Sequence, residues 1–148
     1  MKITQAEDYG IRCVLYLSRY PKKIVPRWRI ARAMNIPEPF LAKIAKDLAR
    51  AGILEIVRGR KGGYRLRIPP EELSVLQVME AMSGEMFISP CVLDPDSCQR
   101  RPLCPVHETW KELRDLIRDK LENTKFSHLT REEACLLTRR GRRVKSSA

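Results

Sequence analysis

Residues 38–68, EPFLAKIAKDLARAGILEIVRGRKGGYRLRI, decide the fold of this chain. Apolar residues recur at helical spacing from Leu41 to Leu48, so the first half predicts an amphipathic helix that ends at a glycine. Two strand-like runs follow at residues 53–58 and 64–68, and the glycine-containing turn between them predicts a β-hairpin. A short helix ahead of the stretch, the helix at its start and the basic hairpin at its end together predict a winged helix-turn-helix.

The residues that precede this stretch predict two more helices. Thr4 followed three residues later by Glu7 is a capping-box pattern, and it predicts that the first helix begins there. A short second helix is predicted at about 26–34, where Trp28 and Ile30 are candidate core residues. Three helices followed by a hairpin complete the predicted DNA-binding unit.

The rest of the chain predicts a long helix that opens at Pro105. Its apolar positions fall three and four residues apart, at Trp110, Leu113, Ile117 and Leu121. About 20 residues make a rod of about 30 Å, which so small a domain cannot cover, so this is the predicted dimerisation helix. The predicted fold class is therefore mainly α with a small β-hairpin wing, a winged helix-turn-helix plus a long dimerisation helix. We expect four parts. The first is a winged helix-turn-helix at 1–70, and the second, at 71–104, consists of a connecting helix (71–83) and the cysteine-bearing loop. The third, at 105–138, consists of the dimerisation helix and a short C-terminal helix (about 130–138), and the fourth is a disordered basic tail at 139–148.

Positive charge is concentrated in the predicted DNA-binding unit. The chain has a formal net charge of +11, and residues 1–68 hold 16 lysines and arginines against five acids, whereas the rest sums to zero. This asymmetry favours a nucleic-acid partner, double-stranded promoter DNA. The candidate DNA-binding residues on the third helix, at the wing and on the second helix are Glu38, Phe40, Lys43, Lys46, Arg58, Arg60, Lys61, Arg27 and Arg29.

Several classes of protein are disfavoured by the sequence. No apolar run reaches the ~18 residues of a membrane span, and acids stand where a signal peptide would be apolar, so we expect a cytoplasmic protein with no membrane partner. Ser-His-Asp, phosphate-loop and paired-carboxylate patterns are missing, so we expect no enzyme. RNA binding is disfavoured because the predicted winged helix has too poor an aromatic platform for stacking bases.

Three cysteines with a histidine behind them form a candidate metal site. Cys91, Cys98 and Cys104 lie within 14 residues, and His107 follows in Cys104-Pro105-Val106-His107. Without the paired C-x-x-C spacing of structural zinc sites, the wide spacing favours an iron–sulfur cluster; zinc, a thiol redox switch and inert cysteines stay open. The two isolated cysteines, Cys13 and Cys135, are predicted to be small core residues.

The chain resembles a known family at several motifs. The matching stretches are Asp8-Tyr9-Gly10-Ile11-Arg12, residues 48–54, the wing at 57–66, and the three cysteines followed by Cys104-Pro105-Val106-His107 and Trp110. They are similar to the IscR and NsrR (Rrf2) family of bacterial winged-helix transcriptional regulators, and the resemblance covers about residues 1–130.

The resemblance implies a homodimer whose iron–sulfur cluster changes its affinity for promoter DNA. It implies His107 as the fourth ligand of a two-iron cluster, as in the IscR branch, and Asp8 as the alternative ligand of a four-iron cluster, as in the NsrR branch; the two-iron form is slightly favoured. Iron–sulfur assembly proteins are candidate partners. The alternatives are a regulator of this family without a cluster, which responds to a small molecule or partner protein, and a zinc- or thiol-redox-dependent nucleic-acid-binding protein.

Overall fold

The computed structural model describes the backbone of residues 2–146 and the side chains of residues 2–141. In chain order, the elements within that range are α1 (Gln5–Ser18), α2 (Arg27–Met34), α3 (Glu38–Arg50), β1 (Leu54–Val57), β2 (Gly63–Leu66), α4 (Val75–Ser83), α5 (Pro90–Leu93), α6 (His107–Asn123) and α7 (Phe126–Ser146). The strands pair antiparallel, with Leu54 opposite Leu66 and Val57 opposite Gly63. The predicted fold class, mainly α with a small β-hairpin wing, is confirmed.

Side-chain caps set where two of the helices begin. At α1, Thr4 accepts a hydrogen bond from the backbone N–H of Glu7 at 3.2 Å, and the Glu7 carboxylate accepts from the N–H of Thr4 at 2.7 Å. The capping box expected from the sequence is therefore present. A second capping box at Ser74 starts α4 at Val75, whereas we expected this helix to begin at Glu71.

The core lies where α1, α3, α4 and the hairpin meet. Its largest fully buried apolar side chains are Cys13, Val14, Leu17, Ile30, Leu41, Leu48, Leu54, Leu73, Val78 and Phe126. Gly10 lets α1 and α4 approach closely, because a Cβ there would lie 3.1 Å from Met82 Cγ. Trp28, expected in the core beside Ile30, is instead 58% exposed. Two residues advance about 200° around a helix, so Trp28 and Ile30 occupy nearly opposite faces of α2.

The C-terminal helix is longer than the sequence pattern predicts. We expected a short helix near 130–138 and a disordered tail over 139–148, but α7 continues from Phe126 through Ser146; residues 147 and 148 lie outside the described range. No proline interrupts this segment, and Gly141 costs a helix only about 1 kcal/mol relative to alanine.

The cysteine-bearing loop is more ordered than expected. Residues 85–104 contain the short helix α5 and two 3-10 turns, Pro95–Ser97 and Arg101–Leu103. The long helix then begins at His107, two residues after the expected Pro105. Between residues 2 and 146, none of the helices has both the length and the apolar character needed to cross a membrane.

Candidate DNA interface and metal centre

The predicted reading residues lie on the outer face of α3. Helical periodicity divides this helix, because Leu41, Ile44, Ala45 and Leu48 are buried, whereas Glu38, Phe40, Lys43 and Lys46 are exposed. Phe40 is 51% exposed, and its ring packs edge-to-face with that of Tyr9, with the ring centroids 6.1 Å apart. The cations therefore stand free of the core on a rigid helix, where they can reach bases or phosphates.

The N-terminal ends of α2 and α3 are joined by an ion pair. Arg27 Nε lies 3.2 Å from a Glu38 carboxylate oxygen. Both side chains line a groove of about 480 Å³ that runs between α2 and the wing, together with Trp28 and Ile56. The sequence pattern suggested Arg27 and Glu38 as separate DNA contacts, and it gave no sign of the groove because α2 and the hairpin meet only in the tertiary structure.

Arg29 is held by two tyrosines, one in the first helix and one just after it. Its guanidinium donates to the Tyr16 hydroxyl at 3.0 Å and to the Tyr20 hydroxyl at 3.2 Å, and it lies 4.9 Å from the centroid of the Tyr20 ring. The hydrogen bond to Tyr16 is the largest cause that raises the pKa of Arg29. This exposed cation is thus fixed in position on the outside of α2.

The wing is anchored to the loop that precedes α2. The backbone N–H of Val25 donates to the Tyr64 carbonyl, and the N–H of Tyr64 donates to the Val25 carbonyl, each at 2.9 Å. Gly63 permits this approach, since a Cβ there would lie 2.1 Å from the Val25 carbonyl oxygen. The exposed cations Arg58, Arg60 and Lys61 are thereby carried in a turn whose neighbouring strand residue is fixed to the body of the domain.

The structure brings together two of the four predicted metal ligands. Cys91 Sγ lies 3.5 Å from His107 Nδ1, and the Ser89 hydroxyl lies 3.3 Å from the same sulfur. Arg101 Nε lies 3.3 Å from His107 Nε2, and because a guanidinium only donates, Nε2 is the acceptor. Two ligands of one tetrahedral metal, at about 2.3 Å for sulfur and 2.0–2.1 Å for nitrogen, lie about 3.6 Å apart. The spacing of the pair therefore fits a shared metal ion. With Nε2 accepting from Arg101, however, the ring proton lies on Nδ1, so a metal at Nδ1 requires this proton to leave, and requires the hydrogen bond with Arg101 to break if the proton moves to Nε2.

The other two cysteines of the loop do not join this pair. Cys98 and Cys104 are half-buried free thiols, and among the described residues no group of three or more His, Cys, Asp or Glu side chains is arranged to hold an ion. The alternative ligand Asp8 pairs with Arg12 at 2.6 Å on its own helix.

The two isolated cysteines differ in environment. Cys13 is buried as expected, and burial raises the pKa of its thiol to about 12. Cys135 was expected in the core but is exposed on α7, because this part of the helix extends past the domain on which its first turns pack.

Helix α6 has no buried residue in the protomer. Leu113 and Leu116 are exposed, the latter by 67%. Trp110, Ile117 and Leu121 are half-buried, so the apolar stripe is covered only in part within one chain.

Comparisons with known proteins agree with this geometry. The profile of the Rrf2 family, described as an iron-dependent transcriptional regulator, matches residues 3–132. The HTH-type transcriptional regulator NsrR of Halalkalibacterium halodurans is 31% identical over 70% of this chain and 73% of its own length. IscR of Aliivibrio salmonicida is 28% identical over 87% of this chain and 77% of its own. The structure of CymR, the global cysteine regulator of B. subtilis, superposes with a TM-score of 0.74 at 21% identity, over 89% of this chain and 98% of that one.

Proposed function

The chain belongs to the Rrf2 family of transcriptional regulators. We propose that it is a homodimeric repressor whose affinity for promoter DNA is set by an iron–sulfur cluster. The family consists of regulators rather than enzymes, as expected from the sequence. The observation that carries the sensing part of the proposal is the contact between Cys91 and His107. It joins the cysteine-bearing loop to the first turn of α6, so a ligand bound there touches the predicted dimerisation helix.

DNA recognition is assigned to α3 and the wing. Lys43 and Lys46 are exposed cations on the outer face of α3, where they can donate to guanine or to phosphate. Replacing both by glutamine should weaken binding to duplex DNA and lower the salt slope by about 0.9 for each phosphate that is no longer bound. The matched control replaces Lys22 and Lys23, exposed in the loop after α1, and should leave the slope unchanged. Equal slopes for all three proteins would refute the assignment of α3 as the reading helix.

The dimer is assigned to α6. Two exposed leucines, Leu113 and Leu116, lie beside the half-buried Trp110 and Ile117 on this 17-residue helix, and such an apolar patch favours a protein partner. One winged helix reads few base pairs, whereas a two-fold pair reads two half-sites about 34 Å apart or a multiple of that. Homodimerisation therefore covers the stripe and extends the DNA sequence that is read.

The cluster ligands are proposed to be Cys91, Cys98, Cys104 and His107, with Asp8 as the alternative fourth ligand. Thiolates and imidazole are the donors of two-iron clusters in which histidine replaces cysteine. Asp8 would have to leave its ion pair with Arg12, which favours His107. Bound to these residues, a cluster would supply a redox-sensitive centre that connects all three cysteines of the loop to the first turn of α6.

The test is anaerobic purification followed by iron and sulfide counting. The wild-type chain should be coloured and should contain two irons and two sulfides per protomer. Cys98→Ala should lose the visible absorbance, His107→Ala should shift it, and Asp8→Ala should leave it unchanged. A colourless, iron-free wild-type protein whose DNA affinity survives removal of all three cysteines would refute the cluster.

A thiol-responsive regulator of the same fold is the second candidate. It is favoured by the absence of a third ligand beside Cys91 and His107 among the described residues. In that case, oxidant would change DNA affinity in iron-free protein, and Cys91→Ser would abolish the response.

A further inference from the structure

The first turns of α7 are fastened to the winged helix. Phe126 is fully buried, and its N–H donates to the Leu73 carbonyl at 3.0 Å. Two turns later, Arg19 at the end of α1 forms a two-pronged ion pair with Glu133, in which Nε lies 2.9 Å from a carboxylate oxygen. The beginning of α7 therefore has a fixed position on the DNA-binding unit.

The rest of α7 leaves the body of the protomer. Every residue from 134 to 141 is exposed, Leu136 by 63% and Leu137 by 56%. From Glu133 to Ser146 the helix continues for 13 residues, a length of about 20 Å. A helical segment of this length is only marginally stable without packing, so a partner that covers it would stabilise it.

The charge of this segment points to an anionic partner. No acidic residue follows Glu133, and the cations in the last ten residues are Arg139, Arg140, Arg142, Arg143 and Lys145. Like charges three and four residues apart on a helix repel each other. An anionic polymer laid along the helix would remove this repulsion and release its own counterions.

The position at which α7 departs connects it to the predicted DNA surface. Arg19, which holds Glu133, lies over the Tyr16 ring at 4.9 Å from its centroid. The hydroxyl of that tyrosine accepts from Arg29, a predicted contact to the DNA backbone, at 3.0 Å. The cations of α7 thus extend from a point two side chains away from Arg29.

We propose that the end of α7, where Arg139 and Arg140 are exposed, is a second DNA-binding element that contacts phosphates outside the stretch read by α3 and the wing. This contact presupposes the proposed DNA-binding function. This contact is expected to be independent of base sequence, because side chains that bind the DNA phosphates contribute affinity and register rather than sequence specificity.

The test compares salt slopes on random-sequence duplex DNA. The variant Arg139→Gln/Arg140→Gln keeps good helix formers in α7, and Lys111→Gln/Lys120→Gln removes the same charge from α6. If one or two phosphates are no longer bound, the slope falls by about 0.9 or 1.8, so the affinity advantage of the wild type over the α7 variant should shrink about 3- to 12-fold between 50 and 200 mM salt. The α6 variant should keep the wild-type slope.

Three outcomes would overturn the proposal: a wild-type slope in the α7 variant, an equal fall in the α6 variant, or dissociation of the α7 variant to monomers in sedimentation. Binding of the wild type to phosphatidylglycerol vesicles, abolished in the α7 variant while its duplex affinity stays unchanged, would assign the segment to a membrane surface instead. The failures of the two proposals can be distinguished. If the wild-type protein does not bind duplex DNA at all, the proposed DNA-binding function is refuted. If only the α3 variant weakens binding, the second element alone is refuted.

Discussion

Replacing Gly63 by alanine should detach the wing from the body of the DNA-binding unit. The added Cβ would lie 2.1 Å from the carbonyl oxygen of Val25 and 2.6 Å from its carbon, so backbone must move against backbone. The two 2.9 Å hydrogen bonds between Val25 and Tyr64 are the interactions that break. At 0.5–1.5 kcal/mol each, their removal lowers the free energy of unfolding by about 1–3 kcal/mol. With an unfolding entropy of about 2.1 cal/mol/K per residue, the Tm of a 148-residue chain falls by about 3–10 °C.

Thermal unfolding at a fixed protein concentration measures this effect, and a duplex-binding titration measures its consequence for the wing. The control is Gly141→Ala, where the new Cβ meets no atom within 4 Å and alanine favours the helix by about 1 kcal/mol. The control should melt at or above the wild-type temperature. If Gly63→Ala melts within about 1 °C of the wild type and binds duplex DNA equally well, the contact with Val25 does not hold the wing.

Three further predictions concern the core, a buried thiol and the dimer. Phe126→Ala empties a fully buried site and should cost about 3–5 kcal/mol, or about 10–16 °C in Tm, whereas the exposed Phe87→Ala should change little. Because burial raises the pKa of the Cys13 thiol to about 12, its reactive thiolate is scarce below that pH; iodoacetamide should label Cys135 in the folded chain and Cys13 only in denaturant, as read by peptide mass. Leu113→Glu should give monomers in sedimentation and weaker duplex binding.

A separate result would contradict each of these three predictions. A Tm for Phe126→Ala no lower than that of Phe87→Ala would show that α7 is not fixed through its first residue. Labelling of Cys13 as fast as Cys135 in native protein would contradict its burial. A dimeric Leu113→Glu protein would move the interface away from α6.

The winged helix was predictable because its signals are local. The Thr4–Glu7 capping box places the start of α1, and both hydrogen bonds are formed. The apolar spacing of α3 separates buried Leu41 from exposed Lys43. In each case, the interaction that decides the structure joins residues a few positions apart, so the sequence alone contains it.

The errors arise where distant residues decide. Trp28 was placed in the core by its apolar character, but the direction of the core relative to α2 is set by Ile30 packing on other helices. The end of α7 was assigned to a disordered tail because its composition is polar, and composition does not show that Phe126 and Glu133 fix the start of the helix. Cys91 and His107 are 16 residues apart, and their contact depends on how the loop between them folds. The sequence of that loop has no periodic pattern from which its fold could be predicted.

The contacts around α4 show how a change in the cysteine-bearing loop can reach the DNA-binding unit. Glu80 of α4 forms an ion pair with Arg118 of α6, and its carboxylate also accepts from the N–H of Met86 at 3.1 Å, where the loop begins. At Gly10, α4 packs so closely on α1 that a single added carbon would lie 3.1 Å from Met82. Close packing of this kind transmits a displacement instead of absorbing it. A shift of the loop against α6 therefore acts on α4 and, through it, on α1, the helix whose Tyr16 holds Arg29.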